Sequence, residues 1–333
     1  MDIRVSEQPQ AQFLAHSYPF ERVLVPLDGS CAAEAVVPTV TSLCLERGTQ
    51  AILVRIVESR SLRTDSPSVQ DSVEIAHSYL GQIASTLARE GVQSKAIVGV
   101  GPVPDRLLTL AVEEGVSLIA MSTHGRLTSD SAPYGNVGEK IFRDSALPIL
   151  AVTGHVQAVT RRPPEHAFRT ILVPTEGREE SDRIVPMAVD FAMAFGADLA
   201  LLLQVVPPSF TGRKEAERRV EAEEHLAKLA RAFERGRIPT VRLVEEGNPV
   251  LAILRVAEER EADVIAMNLH GADHPALGTV GVVTEGVLRE STVPVLTIGL
   301  AAPLPGRSPD RASRRPELEG ERGTDTGGFP TSR

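Results

Sequence analysis

The sequence predicts an α/β protein built as two tandem doubly wound domains, each a five-stranded parallel sheet flanked by helices. Three observations predict it. The chain has 333 residues, 42% hydrophobic and 24% charged, ordinary values for a globular protein with room for two cores. Short apolar runs alternate with amphipathic segments, the pattern of a parallel sheet covered on both faces. The whole pattern then occurs a second time in the same order, and such a repeat dictates architecture.

The repeat opens with Arg22-Val-Leu-Val-Pro-Leu-Asp-Gly29, which returns as Thr170-Ile-Leu-Val-Pro-Thr-Glu-Gly177. Pro38 and Pro186 follow at matching offsets, and Gly48 and Gly196 close the two first helices. Val116-Ser-Leu-Ile-Ala-Met-Ser-Thr-His-Gly125 matches Ala262-Asp-Val-Ile-Ala-Met-Asn-Leu-His-Gly271, and Leu147-Pro-Ile-Leu-Ala-Val152 matches Val293-Pro-Val-Leu-Thr-Ile298.

Strands in the first copy are expected at Arg22 to Pro26, Ala51 to Val57, Lys95 to Val100, Leu118 to Ser122 and Ile149 to Val152, all read as buried on both faces. The helix following the first strand carries Cys31, Pro38 and Cys44, the proline kinking it from within. Both cysteines read as small core residues of a reducing compartment, without the spacing of a disulfide or a metal site. Val69, Val73, Ala76, Leu80, Ile83 and Leu87 form one stripe of a helix from Val69 to Arg89, whose counterpart runs from Arg213 to Arg235. Glu215 with Arg219, Glu224 with Lys228, Glu139 with Arg143 and Glu285 with Arg289 stand four apart and read as surface pairs. Residues 1–20 are expected to be a flexible N-terminus, 21–153 the first domain, 154–168 a linker around Arg161-Arg-Pro-Pro164, 169–300 the second domain and 301–333 a disordered tail.

Composition narrows the function. Forty-four acidic against 35 basic residues give a formal charge of −9, which disfavours a nucleic-acid or membrane-surface partner. The polar stretch from Met1 to Tyr18 and apolar runs no longer than that around Leu199 to Leu203 predict neither a leader nor a membrane span, and hence a cytoplasmic protein.

Ligands of open parallel sheets settle beyond the carboxyl ends of the strands, where strand order reverses. Asp28 follows the first strand there, Ser122-Thr-His-Gly-Arg126 the fourth, and Gly135-Asn-Val-Gly138 opens the last helix. Free amides on such a helix turn suit an anion, phosphate above all. His124 and His270 recur in the same loop but have no neighbouring nucleophile and no metal-ligand spacing, so neither is read as catalytic. Glycines serving only tight turns and close helix–sheet packing remain the alternative reading.

These residues resemble the universal stress proteins. Val25-Pro-Leu-Asp-Gly-Ser30 is similar to the family's start, and the family's motif G-x2-G-x9-G-[ST] appears as Ser122-x2-Gly125-x9-Gly135-Asn136 and as Asn268-x2-Gly271-x9-Gly281-Val282. The resemblance implies an adenine nucleotide α-hydrolase-like fold and a regulatory rather than enzymatic role, with ATP as ligand, AMP or ADP as alternatives, and Mg2+ as a companion ion. It implies Asp28 near the adenosine, Ile56 at the adenine edge and Gly125, Gly135, Asn136 and Val137 around the phosphates, with Pro26, Met121, Ser122, His124 and Arg126 as further cofactor-binding residues. Glu176, Gly271, Gly281 and Val282 would do the same in the second copy. Its departures weaken that copy: Glu replaces Asp, Val282 cannot donate, and its loop holds Asp273 with no Lys or Arg, whereas the first holds Arg126. In single-domain members the last strands pair two chains; here they imply a covalent pseudodimer or a homo-oligomer through those strands. A pseudodimeric scaffold without nucleotide is the competing reading, and a slow ATP hydrolase ranks behind both.

Overall fold

The computed structural model describes residues 19–58, 67–123, 136–153, 167–208, 212–269 and 280–299. The expectations of a flexible N-terminus, a linker and a disordered tail fall almost wholly outside those residues. The first half runs β1 (Arg22–Pro26), α1 (Cys31–Glu34), α2 (Val37–Arg47), β2 (Gln50–Val57), α3 (Pro67–Arg89), β3 (Ser94–Val100), α4 (Val103–Glu113), β4 (Leu118–Ser122), α5 (Asn136–Asp144) and β5 (Pro148–Val152). The second repeats it as β6 (Thr170–Thr175), α6 (Glu179–Asp182), α7 (Val185–Ala194), β7 (Leu199–Val206), α8 (Gly212–Arg235), β8 (Thr240–Glu246), α9 (Pro249–Glu259), β9 (Val264–Ala266), α10 (Val282–Glu290) and β10 (Val295–Ile298).

All ten strands join one sheet, in the order β3-β2-β1-β4-β5-β10-β9-β6-β7-β8. Pairing is parallel within each half and antiparallel where the halves meet, with Leu296 opposite Leu150 and Val295 opposite Ala151. The last strands are thus flanked on both sides, and neither has a free edge for a second chain. Their apolar side chains explain the preference: every residue of β5 is buried, and an open edge there would expose unpaired amides beside a dry surface. Chain order reverses between β1 and β4, and again between β6 and β9, which fixes the two crevices.

Four helical details differ from the sequence expectation. The first helix is two: α1 ends at Glu34, α2 starts at Val37, and Pro38 lies in the opening turn of α2 rather than in a kinked interior. Proline fits that turn because its missing N–H would have had no helical partner. Pro186 does the same in α7. The break also separates the cysteines' fates, since Cys44 is buried while Cys31, at the exposed start of α1, is not a core residue. Among the described residues, Glu285–Arg289 forms as spaced, at 3.1 Å, while the Glu215 side chain lies outside them. Arg143 turns to its neighbour Asp144 at 3.0 Å, and Arg219 to Glu223 at 3.7 Å. Strand β3 is a second correction in kind: as an edge strand it exposes Lys95 and Ala96 instead of burying both faces.

Elsewhere the pattern holds. Ala76, Leu80 and Leu87 bury the predicted α3 stripe, and Gly48, at φ 73°, ends α2 in the left-handed conformation that glycine adopts without strain. Two apolar clusters cover the two sheet faces, and each contains residues of both halves. Phe20 and Phe168, which precede β1 and β6, both pack on Phe191 of α7, at centroid distances of 5.6 and 5.3 Å. Glu46 of α2 crosses the same junction. Its carboxyl takes a hydrogen bond from the Ala167 amide and feels the charge of Arg169; burial, only partly offset by Arg169, pushes its pKa up to about 7.

Candidate functional site

Strand β1 hands over to the first crevice through Leu27, whose amide still donates to Val54 O at 2.8 Å. The chain then turns at Gly29, φ 82°, a left-handed position that a side chain would strain. Asp28 builds the turn: its Oδ1 accepts from the Ser30 amide at 2.8 Å and from Ser30 Oγ at 2.6 Å. Ser30 Oγ in turn accepts from the Ala33 amide at 3.1 Å, capping α1. The Asp-Gly-Ser sequence therefore fixes the rim locally, before any ligand is considered.

Of the predicted first-site residues, the structure brings several to this rim. Pro26 and the exposed Asp28 end β1, Ile56 lies near the end of β2, Ser122 ends β4, and Val137 stands in the first turn of α5. Met121 is 6% exposed, and its side chain belongs to the core beneath the rim. Ile56 packs inward as well, against the α4 side of the sheet. His124, Gly125, Arg126, Gly135 and the side chain of Asn136 lie outside the described residues. So does Gly271 of the second copy.

Sequence reasoning missed a second group at the same rim. Arg55, near the end of β2, lays its guanidinium against the Gly29 turn: a Cβ on that glycine would stand 3.0 Å from its Nη1. The same guanidinium sits over the Tyr79 ring of α3, 5.1 Å from the centroid. Tyr79 donates to Glu34 Oε1 at 3.0 Å. Burial first, then the Glu34 carboxylate, holds the Tyr79 hydroxyl well above its ordinary pKa, so it stays a donor. The signal was present in Ala-Ile-Leu-Val-Arg-Ile-Val, where one charge interrupts an otherwise apolar strand.

The second crevice has the same frame with different groups. Gln204 replaces Arg55 and approaches the Gly177 turn, with its Oε1 buried and unpartnered among the described residues. His225 replaces Tyr79 and meets Asp182 Oδ1 at 3.1 Å, while Thr175 Oγ1 donates to that same oxygen at 2.8 Å. Ser181 Oγ lies 2.9 Å from Thr175 Oγ1 and accepts from the Glu176 amide at 3.2 Å. Across the switch point, Asn268 Nδ2 donates to Glu180 O at 2.7 Å. At the mouth of α10 the Gly281 amide donates to Leu269 O at 2.7 Å, and Thr284 Oγ1 to Asn268 O at 2.9 Å. Val282 is 69% exposed beside them. Among the described residues, the donors of Asn268, Thr284 and the Gly281 amide are thus spent on the protein itself.

Among the described residues no group of three or more His, Cys, Asp or Glu could hold a metal ion, and no helix is long and apolar enough to cross a membrane.

Fold and rim together define a tandem, doubly wound α/β protein with a crevice at each switch point. The chain belongs to the universal stress protein family, whose profile matches residues 19–153 and again 167–299. It is similar to a universal stress protein of Methanocaldococcus jannaschii, 24% identical over 153 residues, which span 40% of this chain and 94% of the relative. One from Synechocystis is 30% identical over 135 residues, 39% of this chain and 85% of that protein. In fold it resembles the crystal structure of a universal stress protein from Archaeoglobus fulgidus, with a TM-score of 0.62 at 23% identity, covering 85% of this chain and 99% of that one.

Proposed function

We propose that this chain is a nucleotide-responsive regulatory protein, with an adenine nucleotide bound in the crevice of the first half and none in the second. Residues 21–153 and 169–300 act as its two domains, in the cytoplasm. The observation that carries this reading is the contrast between the rims. In the second half the amide at the mouth of α10 is already bonded to Leu269 O, and Asn268 ties β9 to α6 across the crevice. The first rim has an uncharged hydroxyl, Ser122, where Asn268 stands, and a guanidinium, Arg55, where Gln204 stands.

The residues present suit a nucleotide. Asp28 is exposed and held rigid by Ser30, a fit for hydroxyl groups of a sugar, while Arg55 supplies a cation for a phosphorylated ligand. Gly125, Arg126, Gly135, Asn136 and Val137 would hold the phosphates, with ATP preferred and ADP or AMP as lesser ligands. Occupancy changes which partner is engaged only if the nucleotide favours one conformation over another. The second half, on this reading, completes the sheet.

Calorimetry on the purified full chain tests it. ATP should bind with a stoichiometry of about one per chain, as expected for one open site, and Gly135→Phe should abolish the binding. Tight binding that survives Gly135→Phe places the ligand elsewhere. No binding at millimolar ATP would favour the scaffold reading instead.

A further inference from the structure

We infer that Arg55 is a specificity-determining residue of the first site, setting its preference for phosphorylated over unphosphorylated nucleosides; this rests on the nucleotide reading above. Four observations carry it. The guanidinium lies against the main chain of the Asp28-Gly29-Ser30 turn, within the crevice rim rather than on a distant surface. Tyr79 supports it from behind, and the Tyr79 hydroxyl is itself anchored to Glu34, so the side chain is held in place before a ligand arrives. Ordering a long side chain costs rotamer freedom, and here packing has already removed it. Among the described residues no carboxylate or carbonyl takes a hydrogen bond from this guanidinium, which leaves its donors for a ligand.

Charge gives the fourth observation. Asp28 and Glu34 place two carboxylates at the rim, in a chain of net charge −9. An approaching phosphate would meet repulsion from both, and Arg55 is a cation beside the Gly29 turn, over the ring of the tyrosine that is bonded to Glu34. An uncharged nucleoside feels little of this field. Arginine also presents its N–H groups as a planar fork that matches phosphate oxygens, which a lysine cannot copy. The second half carries the uncharged Gln204 at the same place, beside its own turn glycine. Gln204 therefore supplies the substitution that nature has already placed in this frame.

The test measures binding of ATP, AMP and adenosine to the full chain and to its Arg55→Gln and Arg55→Lys variants, at low and moderate salt. Arg55→Gln should weaken ATP about tenfold and AMP less, as for loss of one charge-assisted contact, while adenosine changes by less than about twofold. Arg55→Lys should recover part of the ATP affinity and keep its salt dependence, since the charge survives and the fork does not. ATP binding equal to wild type in Arg55→Gln overturns the role of Arg55 and leaves the nucleotide reading standing. Parallel losses of ATP and adenosine in both variants make Arg55 a structural residue and overturn it too. If the wild-type chain binds none of the three ligands, the nucleotide reading fails and takes this inference with it.

Discussion

At the scale of single residues, the two cysteines show how a short break in a helix changes chemistry. Both belong to the first crossover, thirteen positions apart, yet Cys31 is exposed beside the Asp28 turn while Cys44 is buried on the inner side of α2. Burial pushes the Cys44 thiol up to about 12, so it carries almost no thiolate at neutral pH. A maleimide reagent should therefore modify one site per native chain, at Cys31, and a second only in denaturant; peptide mass mapping distinguishes them. Labelling of Cys44 in the native protein would show that α2 opens readily. The same scale marks what sequence alone conveyed of the site. Asp28, Gly29 and Ser30 were readable because they form a local turn, each bonding within two or three positions. Arg55 was not, since its neighbours Gly29 and Tyr79 come from other segments and meet only once β1, β2 and α3 are assembled.

At the scale of elements, strands were legible nearly to the residue, because parallel strands buried on both faces are continuous apolar runs with little else they could be. β1 and β4 occupy the predicted spans. The α1–α2 break was not legible, since Ala-Ala-Glu-Ala-Val-Val reads as uninterrupted helix where the chain bends between Glu34 and Val37. That bend carries Glu46 to the second half. A carboxyl whose native pKa is raised to about 7 binds a proton in the folded state at pH values where the unfolded chain, near 4.5, has already released it. Stability from this group is fully present below about pH 4.5, declines as pH rises toward 7, and is constant beyond. Arg169 favours the charged form and Asp263 and Asp198 oppose it, yet desolvation is the largest influence. Glu46→Gln should flatten the fall in melting temperature between about pH 5 and 7, and a slope identical to wild type would remove Glu46 as its source.

At the scale of the molecule, both apolar clusters run through both halves, so the chain should unfold as one unit. All three tyrosines, Tyr18, Tyr79 and Tyr134, belong to the first half, and there is no tryptophan, so tyrosine emission reports that half alone. Leu226 is fully buried on α8 of the second half. Leu226→Ala should cost about 2–5 kcal/mol, the range for a truncated core leucine, and should shift the urea midpoint seen by tyrosine as far as that seen by circular dichroism. A tyrosine transition left in place would mean two independent folding units.

The antiparallel seam between β5 and β10 has one more consequence. Two identical subunits meeting along such a seam must evolve together, because any change in one appears in its mate. Peptide linkage fixes the ratio of the two copies at one to one and frees them to diverge: Arg55 can persist on one side while Gln204 takes its place on the other. The fusion turns a symmetric pair into an obligate heterodimer encoded as a single polypeptide, in which one member can specialise and the other can drift toward a purely architectural duty.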